Sequence, residues 1–318
     1  MVNEFYGFRK DPFALQPDLQ FLYLARSHHA ALSAMMTGVR ERKGVIVVTG
    51  EAGAGKTLLL HALLRDLSPK IRTAFIFSPD SDFAGLMGKV LRELGLSSPG
   101  QPGKPDDPGL LFTQYLKERR SRDETVVVVV DEAQNLDEKA LEEWERRFFG
   151  DSLAAGVLQL VLVGHPDLER KWETRKLQPF RKRIAVRCRL QVLDRKEGRG
   201  YLRYRLKRAG RDLSEVFTSE AVNLVWEFAG GIPRVMNILC ARALALGAAQ
   251  SSRVIGSQTV REAIAGLDYL RAGRGKSGPS GIFRGIFSAR SLRILFFILS
   301  FALFLFSLAA TASFLFRR

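Results

Sequence analysis

The chain has 318 residues, 46% hydrophobic and 26% charged, which suits one large or two medium globular domains and excludes a disordered or fibrous polypeptide. Its net charge of +16 calls for an anionic partner: a nucleotide, a nucleic acid or a membrane surface. The two cysteines, Cys188 and Cys240, give no disulfide framework and no metal-binding spacing, so a reducing compartment is expected.

Residues 1–11 are polar with charges of both signs, so no secretory signal peptide is expected. Residues 1–24 are aromatic and punctuated by proline: Phe5-Tyr6-Gly7-Phe8, Asp11-Pro12-Phe13, Pro17-Asp18 and Phe21-Leu22-Tyr23-Leu24. They lack a clean period and are expected to form an ordered leader packed on the core. A helix capped by Ser27 should run to about residue 42, with Ala31, Leu32, Met35 and Val39 on one face. His28 and His29 sit in its first turn, where neighbouring side chains point apart and cannot share a metal. They are read as structural or nucleotide-adjacent. Leader and helix together make a first segment, 1–43.

An apolar β-branched run at 45–49 then leads into Gly50-Glu51-Ala52-Gly53-Ala54-Gly55, followed by Lys56, Thr57 and Leu58, which open a helix over 56–67. Gly50, Gly55, Lys56 and Thr57 fit a phosphate-binding loop. Glycines let backbone N–H groups close around an anion, and the helix N-terminus that follows favours negative charge. Lys56 can reach the β- and γ-phosphates of ATP, and the Thr57 hydroxyl can ligate Mg²⁺.

A second strand is expected at 72–77 and an amphipathic helix at 82–94. A turn-rich, mobile loop follows at 97–109, then a helix at 110–120. Residues 125–130 are an unbroken Thr-Val run ending in Asp131-Glu132, which reads as a strand buried on both faces. Acids at the C-terminal end of such a strand lie where open α/β sheets bind ligands. Asp131 is placed to hold Mg²⁺ and Glu132 to polarise a water; the pair alone would favour a helix N-cap, and it is the loop upstream that points to nucleotide binding. A helix at 138–149, a doubly buried strand at 157–163 and an edge strand at 184–190 complete the core. Strand–helix alternation predicts an α/β parallel sheet with helices on both faces, spanning 44–193. Beyond Asp194 no strand run remains; four helices, at 195–208, 219–228, 233–249 and 257–267, predict a helical lid over 194–268.

The remainder differs in character. Residues 269–290 read as a basic, flexible linker. Residues 294–316 carry no charge and are long enough to cross a bilayer, so a transmembrane helix is expected over 291–316. Lys276, Arg284, Arg290 and Arg293 precede the uncharged run and only Arg317 and Arg318 follow it, which predicts a cytoplasmic N-terminal side.

Several motifs occur in a fixed order: the leader, the Gly50–Thr57 loop, Asp131-Glu132-Ala133-Gln134-Asn135-Leu136, Leu162-Val163-Gly164-His165-Pro166-Asp167-Leu168, and Gly230-Gly231-Ile232-Pro233-Arg234. Over roughly residues 1–268 this resembles the ExeA-like family, general secretion pathway protein A. The resemblance implies a P-loop AAA+ ATPase with a helical lid, held in the bacterial inner membrane by one helix with its ATPase domain in the cytoplasm. It further implies a homo-oligomer that supports type II secretion or pilus assembly. The family often adds a periplasmic peptidoglycan-binding domain; the sequence given ends at Arg318, so a protein without that domain is expected.

The resemblance also implies roles. His165 stands at sensor 1, where the family usually has Gln or Asn; a histidine capping the turn before Pro166 is the alternative. Arg183, or Arg181, stands where an arginine finger would enter a neighbouring subunit's site, although both also fit a solvated basic face. Arg234 matches sensor 2, acting in cis from the lid. The Lys- and Arg-rich segment 170–211 leaves two further partners open: a nucleic acid, as for transposition ATPases and origin-binding proteins that share this core, or anionic lipid.

Overall fold

A computed structural model describes residues 2–96, 107–149 and 156–272 of the chain. Most of the loop expected at 97–109, nearly all of the 269–290 linker and the whole span expected at 291–316 lie outside these residues. Among the described residues no helix is long and apolar enough to cross a membrane. The described residues up to Ala263 form one compact unit.

The leader contains α1 (Val2–Tyr6), and α2 follows at Arg26–Arg40. The core then runs β1 (Val45–Gly50), α3 (Lys56–Asp66), β2 (Ile71–Ile76), α4 (Phe83–Glu93), α5 (Pro108–Ser121), β3 (Thr125–Val130), α6 (Glu138–Trp144), β4 (Leu158–Gly164), α7 (Asp167–Lys171), α8 (Gln178–Arg183) and β5 (Ile184–Leu190). The helical segment holds α9 (Arg195–Arg208), α10 (Leu213–Val216), α11 (Ser219–Ala229), α12 (Pro233–Ala249) and α13 (Ser257–Ala272).

All strand pairs are parallel, in the order β2-β3-β4-β1-β5. Side chains of a strand alternate between its two faces. Val126, Val128 and Val130 therefore join the core formed with α4, α5 and α6. Val127 and Val129 join the opposite core, formed with α2 and α3. Both faces are covered, which is why β3 needs valine at every position rather than at alternate ones. β5 lies at an edge as expected, with Arg187 and Arg189 exposed on its open face.

Four expectations need correction. The leader packs on the helical segment, not on the sheet: Phe13 meets Phe217 edge-on, and the Tyr6 hydroxyl donates to the Leu244 carbonyl at 3.2 Å. Ser27 is not the cap of α2. Ala25 holds that position in an extended conformation, the Arg26 N–H donates to Glu197 of α9 at 3.2 Å, and Ser27 Oγ instead accepts the Gln191 N–H. The helix expected over 138–149 changes to π geometry at Glu145–Phe149, which turns Phe148 into the core beside Trp144. Among the described residues five helices, not four, follow Asp194, because the four-residue α10 is too short to show a period.

Candidate nucleotide-binding site

The register places the ends of three neighbouring strands side by side. Thr49 of β1 is level with Gly164 of β4, and Leu162 of β4 with Val130 of β3. The loop after β1, Asp131-Glu132 after β3 and His165 after β4 therefore emerge on one rim of the sheet, at its carboxyl end.

The loop itself turns through Gly53 and Gly55, at φ +84° and +98°. At Gly53 a Cβ would also collide with Arg234, whose own Cβ would lie 2.8 Å away. Gly50 closes β1, Glu51 and Ala52 are exposed, Ala54 is buried, and Leu58 is half-buried in the first turn of α3. His28 Nε2 donates to the Ala54 carbonyl at 2.7 Å, so α2 supports the loop from beneath. Burial lowers the pKa of His28, disfavouring its charged form.

Lys56 is buried; its ammonium donates to the Gly50 carbonyl at 2.8 Å and to the Glu51 carbonyl at 3.1 Å. Burial lowers its pKa, opposed by the carboxylates of Glu132, Asp131 and Glu51. The Thr57 hydroxyl donates to Asp131 Oδ2 at 2.6 Å, and the Glu132 N–H to Asp131 Oδ1 at 2.9 Å. Asp131 has no exposed surface, and burial raises its pKa above the ordinary carboxylate value.

Arg234 reaches the loop from the helical segment. Its N–H donates to the Gly53 carbonyl at 3.3 Å, and its guanidinium, whose pKa burial lowers, feels the charge of Glu132. The segment is held there by the Leu193 N–H, which donates to the Gly231 carbonyl at 2.9 Å, and by Trp226 Nε1, which donates to the Leu193 carbonyl at 2.8 Å. His165 Nε2 lies 3.3 Å from Glu51 Oε2, and its Nδ1 lies 3.0 Å from Asp167 Oδ2. The ring thus contacts the loop and also caps the turn after Pro166, accepting the Asp167 N–H at 3.4 Å.

Arg183 and Arg181 are not brought to this rim. Both are exposed on α8, ahead of Ile184, which pairs with Val45 at the far end of β1. Arg183 Nε sits 3.5 Å from Glu145 Oε1. Sequence reasoning assigned no role to Gln134, whose amide nitrogen donates to Glu132 at 2.5 Å, or to Lys171, which donates to the Gln134 carbonyl at 2.6 Å. Gln134 stood inside a recognised motif, which was a usable signal; nothing marked Lys171 among so many basic residues.

A model of the AAA domain family matches residues 39–171. General secretion pathway protein A of Aeromonas hydrophila is 31% identical over 260 residues, covering 80% of this chain and 46% of that protein. Residues 39–171 are thus an AAA domain, and the chain is similar to general secretion pathway protein A over most of its length. An uncharacterized HTH-type transcriptional regulator of Methanocaldococcus jannaschii is 27% identical over 158 residues, covering 48% of this chain and 38% of its own length. The chain therefore spans less than half of each of these relatives. Among solved structures, Cdc6p of Pyrobaculum aerophilum superimposes with a TM-score of 0.61 at 19% identity, covering 80% of this chain and 70% of its own. The ORC2 protein of Aeropyrum pernix, in ADPNP–ADP complexes, gives 0.61 at 15%, covering 93% and 79%. These likenesses establish the fold and no more.

The residues of the AAA domain fit a magnesium nucleotide. Thr57 and Asp131 present hard oxygen atoms side by side, and Mg²⁺ accepts one or two protein oxygens when phosphates and water supply the rest. Among the described residues no group of three or more His, Cys, Asp or Glu could hold a metal ion by itself.

Proposed function

We propose that the chain binds ATP with Mg²⁺ and hydrolyses it. The observation that carries this is the convergence of Lys56, the Thr57–Asp131 pair and Glu132 on one rim formed by adjacent strands. The loop's N–H groups and Lys56 hold the phosphates; Thr57 and Asp131 hold the metal, which draws charge off the phosphates. Glu132 accepts a proton from the attacking water. Arg234 and His165 contact the loop from two sides and are suited to register the γ-phosphate. Lys56→Ala is expected to abolish nucleotide binding, and Glu132→Gln to keep binding but lower turnover by at least about 100-fold. Measured binding and phosphate release decide both; normal turnover by Glu132→Gln overturns the assignment of the base.

The relationship to general secretion pathway protein A supports a wider reading. In it, the ATPase is a homo-oligomer anchored in the inner membrane by residues 291–316, with its ATPase domain in the cytoplasm, and it assists assembly of an envelope secretion or pilus system. Recovery of the full-length protein in the supernatant after a carbonate wash of membranes refutes the anchor. A second reading has its own observation: Lys196, Arg199, Arg203 and Lys207 are all exposed on α9 at spacings that put them in one row. Such a row suits phosphates of a nucleic acid. Binding that weakens steeply with salt favours it, and no binding at low salt removes it.

A further inference from the structure

Gln134 completes the hydrolytic site. We infer that it is a positioning residue that sets the carboxylate of Glu132, acting as a relay from the main chain at the end of β4. The inference rests on the hydrolysis reading above.

The geometry is specific to a carboxamide. Gln134 Nε2 donates to Glu132 Oε2 at 2.5 Å, while Gln134 Oε1 accepts the His165 N–H at 2.9 Å. Among neutral side chains only an amide offers two donor hydrogens and a carbonyl acceptor on the same planar group. One oxygen of Glu132 is engaged in this way, and Oε1 is the oxygen the bond leaves to a water.

Glu132 needs such a restraint. Its φ of +53° lies in the left-handed region that L side chains rarely adopt. Its main chain is pinned by Asp131, through the N–H bond to Oδ1. Its side chain is pinned by Gln134. Gln134 is itself fixed: Lys171 donates to the carbonyls of Gln134 and Leu136, and the turn Ala133–Asn135 is a 3₁₀ helix.

Gly164 belongs to the same arrangement. A Cβ at that position would lie 2.5 Å from Gln134 Oε1 and 3.3 Å from Gln134 N. A side chain at 164 and the relay therefore exclude one another. The imidazole of His165 faces Glu51 and Asp167 instead, so the connection from β4 to Glu132 runs through the backbone of residue 165 and the amide of Gln134.

The test uses the full chain and five proteins: wild type, Glu132→Gln, Gln134→Ala, Gly164→Ala, and Gln134→Ala combined with Glu132→Gln. A misplaced base costs rate rather than affinity, so Gln134→Ala should lower kcat on the order of 10- to 100-fold while the Mg²⁺-ATP Kd stays within about 3-fold. Gly164→Ala should show the same split by displacing the amide. Once Glu132 is already Gln, Gln134→Ala should lower kcat no further, because the two act as one unit. Wild-type kcat in Gln134→Ala overturns the relay, as does a loss carried equally by Kd, or full additivity with Glu132→Gln. A wild-type chain that binds ATP without turning it over overturns the hydrolysis reading itself, a result distinct from these.

Discussion

Lys56 and Asp131 are charges held inside the protein, and burial acts against both. It pushes the ammonium of Lys56 below its ordinary pKa and the carboxyl of Asp131 above its own. In each case the folded chain disfavours the charged form, and a phosphate with its metal is the kind of partner that restores it. The consequence for stability has a definite sign. The folded pKa of Asp131 lies above the unfolded one, so its contribution is fully present below the unfolded pKa and is lost as pH rises through the folded value. Near neutral pH, Asp131 is a cost of folding. Asp131→Asn keeps an oxygen for the Glu132 N–H, can donate its NH2 to the Thr57 hydroxyl, and removes the charge. It is expected to raise the Tm of the nucleotide-free protein by about 2–5 °C near neutral pH, and to abolish the further rise caused by Mg²⁺-ATP. Thermal melts with and without nucleotide check both parts, and the gap between variant and wild type should narrow as pH falls toward the carboxylate range. A lower Tm for the variant at neutral pH shows that the charge is a net contributor.

The leader acts as a clamp on the helical segment, and Tyr6 is its anchor. The Tyr6 hydroxyl donates toward the Leu244 carbonyl at 3.2 Å and the Ser252 carbonyl at 3.0 Å, and burial pushes the phenol from 10.0 up to about 12. Tyr6→Phe leaves those carbonyls without this donor and is expected to cost about 1–2 kcal/mol, read from urea unfolding of both proteins. The raised pKa fixes the pH window: this stability is complete below about pH 10 and is lost as pH rises through about 12, so wild type should fall toward the variant there. Equal stability at neutral pH would show that the hydroxyl contributes nothing net. Elements of this kind were the least legible in the sequence. Val126–Val130 declared a doubly buried parallel strand, because no other common element needs five valines in a row. The phosphate loop was equally plain, since its glycines, lysine and threonine are local in sequence. The contact of Phe13 with Phe217 joins segments far apart along the chain and leaves no local trace. Neither does capture of the Arg26 N–H by Glu197, which made Ser27 look like the cap. The short helices α7, α8 and α10 span too few residues to show a period.

At the scale of the whole molecule, the position of Arg183 decides what it can do. Val45 and Gly50 stand at opposite ends of β1, about 16 Å apart at ordinary strand rise. Arg183 precedes the strand that starts level with Val45, whereas the phosphate loop begins at Gly50. If Arg183 is an arginine finger, it would have to serve another copy's nucleotide, and a head-to-tail contact between copies would deliver it. Complementation tests this directly. Lys56→Ala removes the site but keeps the finger; Arg183→Ala removes the finger but keeps the site. Each alone is expected to lose at least about 100-fold in turnover. Mixed in equal amounts and allowed to exchange subunits, about one contact in four joins an intact site to an intact finger in a head-to-tail assembly, so activity should return to roughly a quarter of wild type. Replacing Arg183→Ala by Arg181→Ala in the mixture identifies which arginine is required. Activity of the mixture that stays at the sum of its parts refutes a finger acting between copies, and full activity of Arg183→Ala by itself assigns that residue to the pair with Glu145 alone.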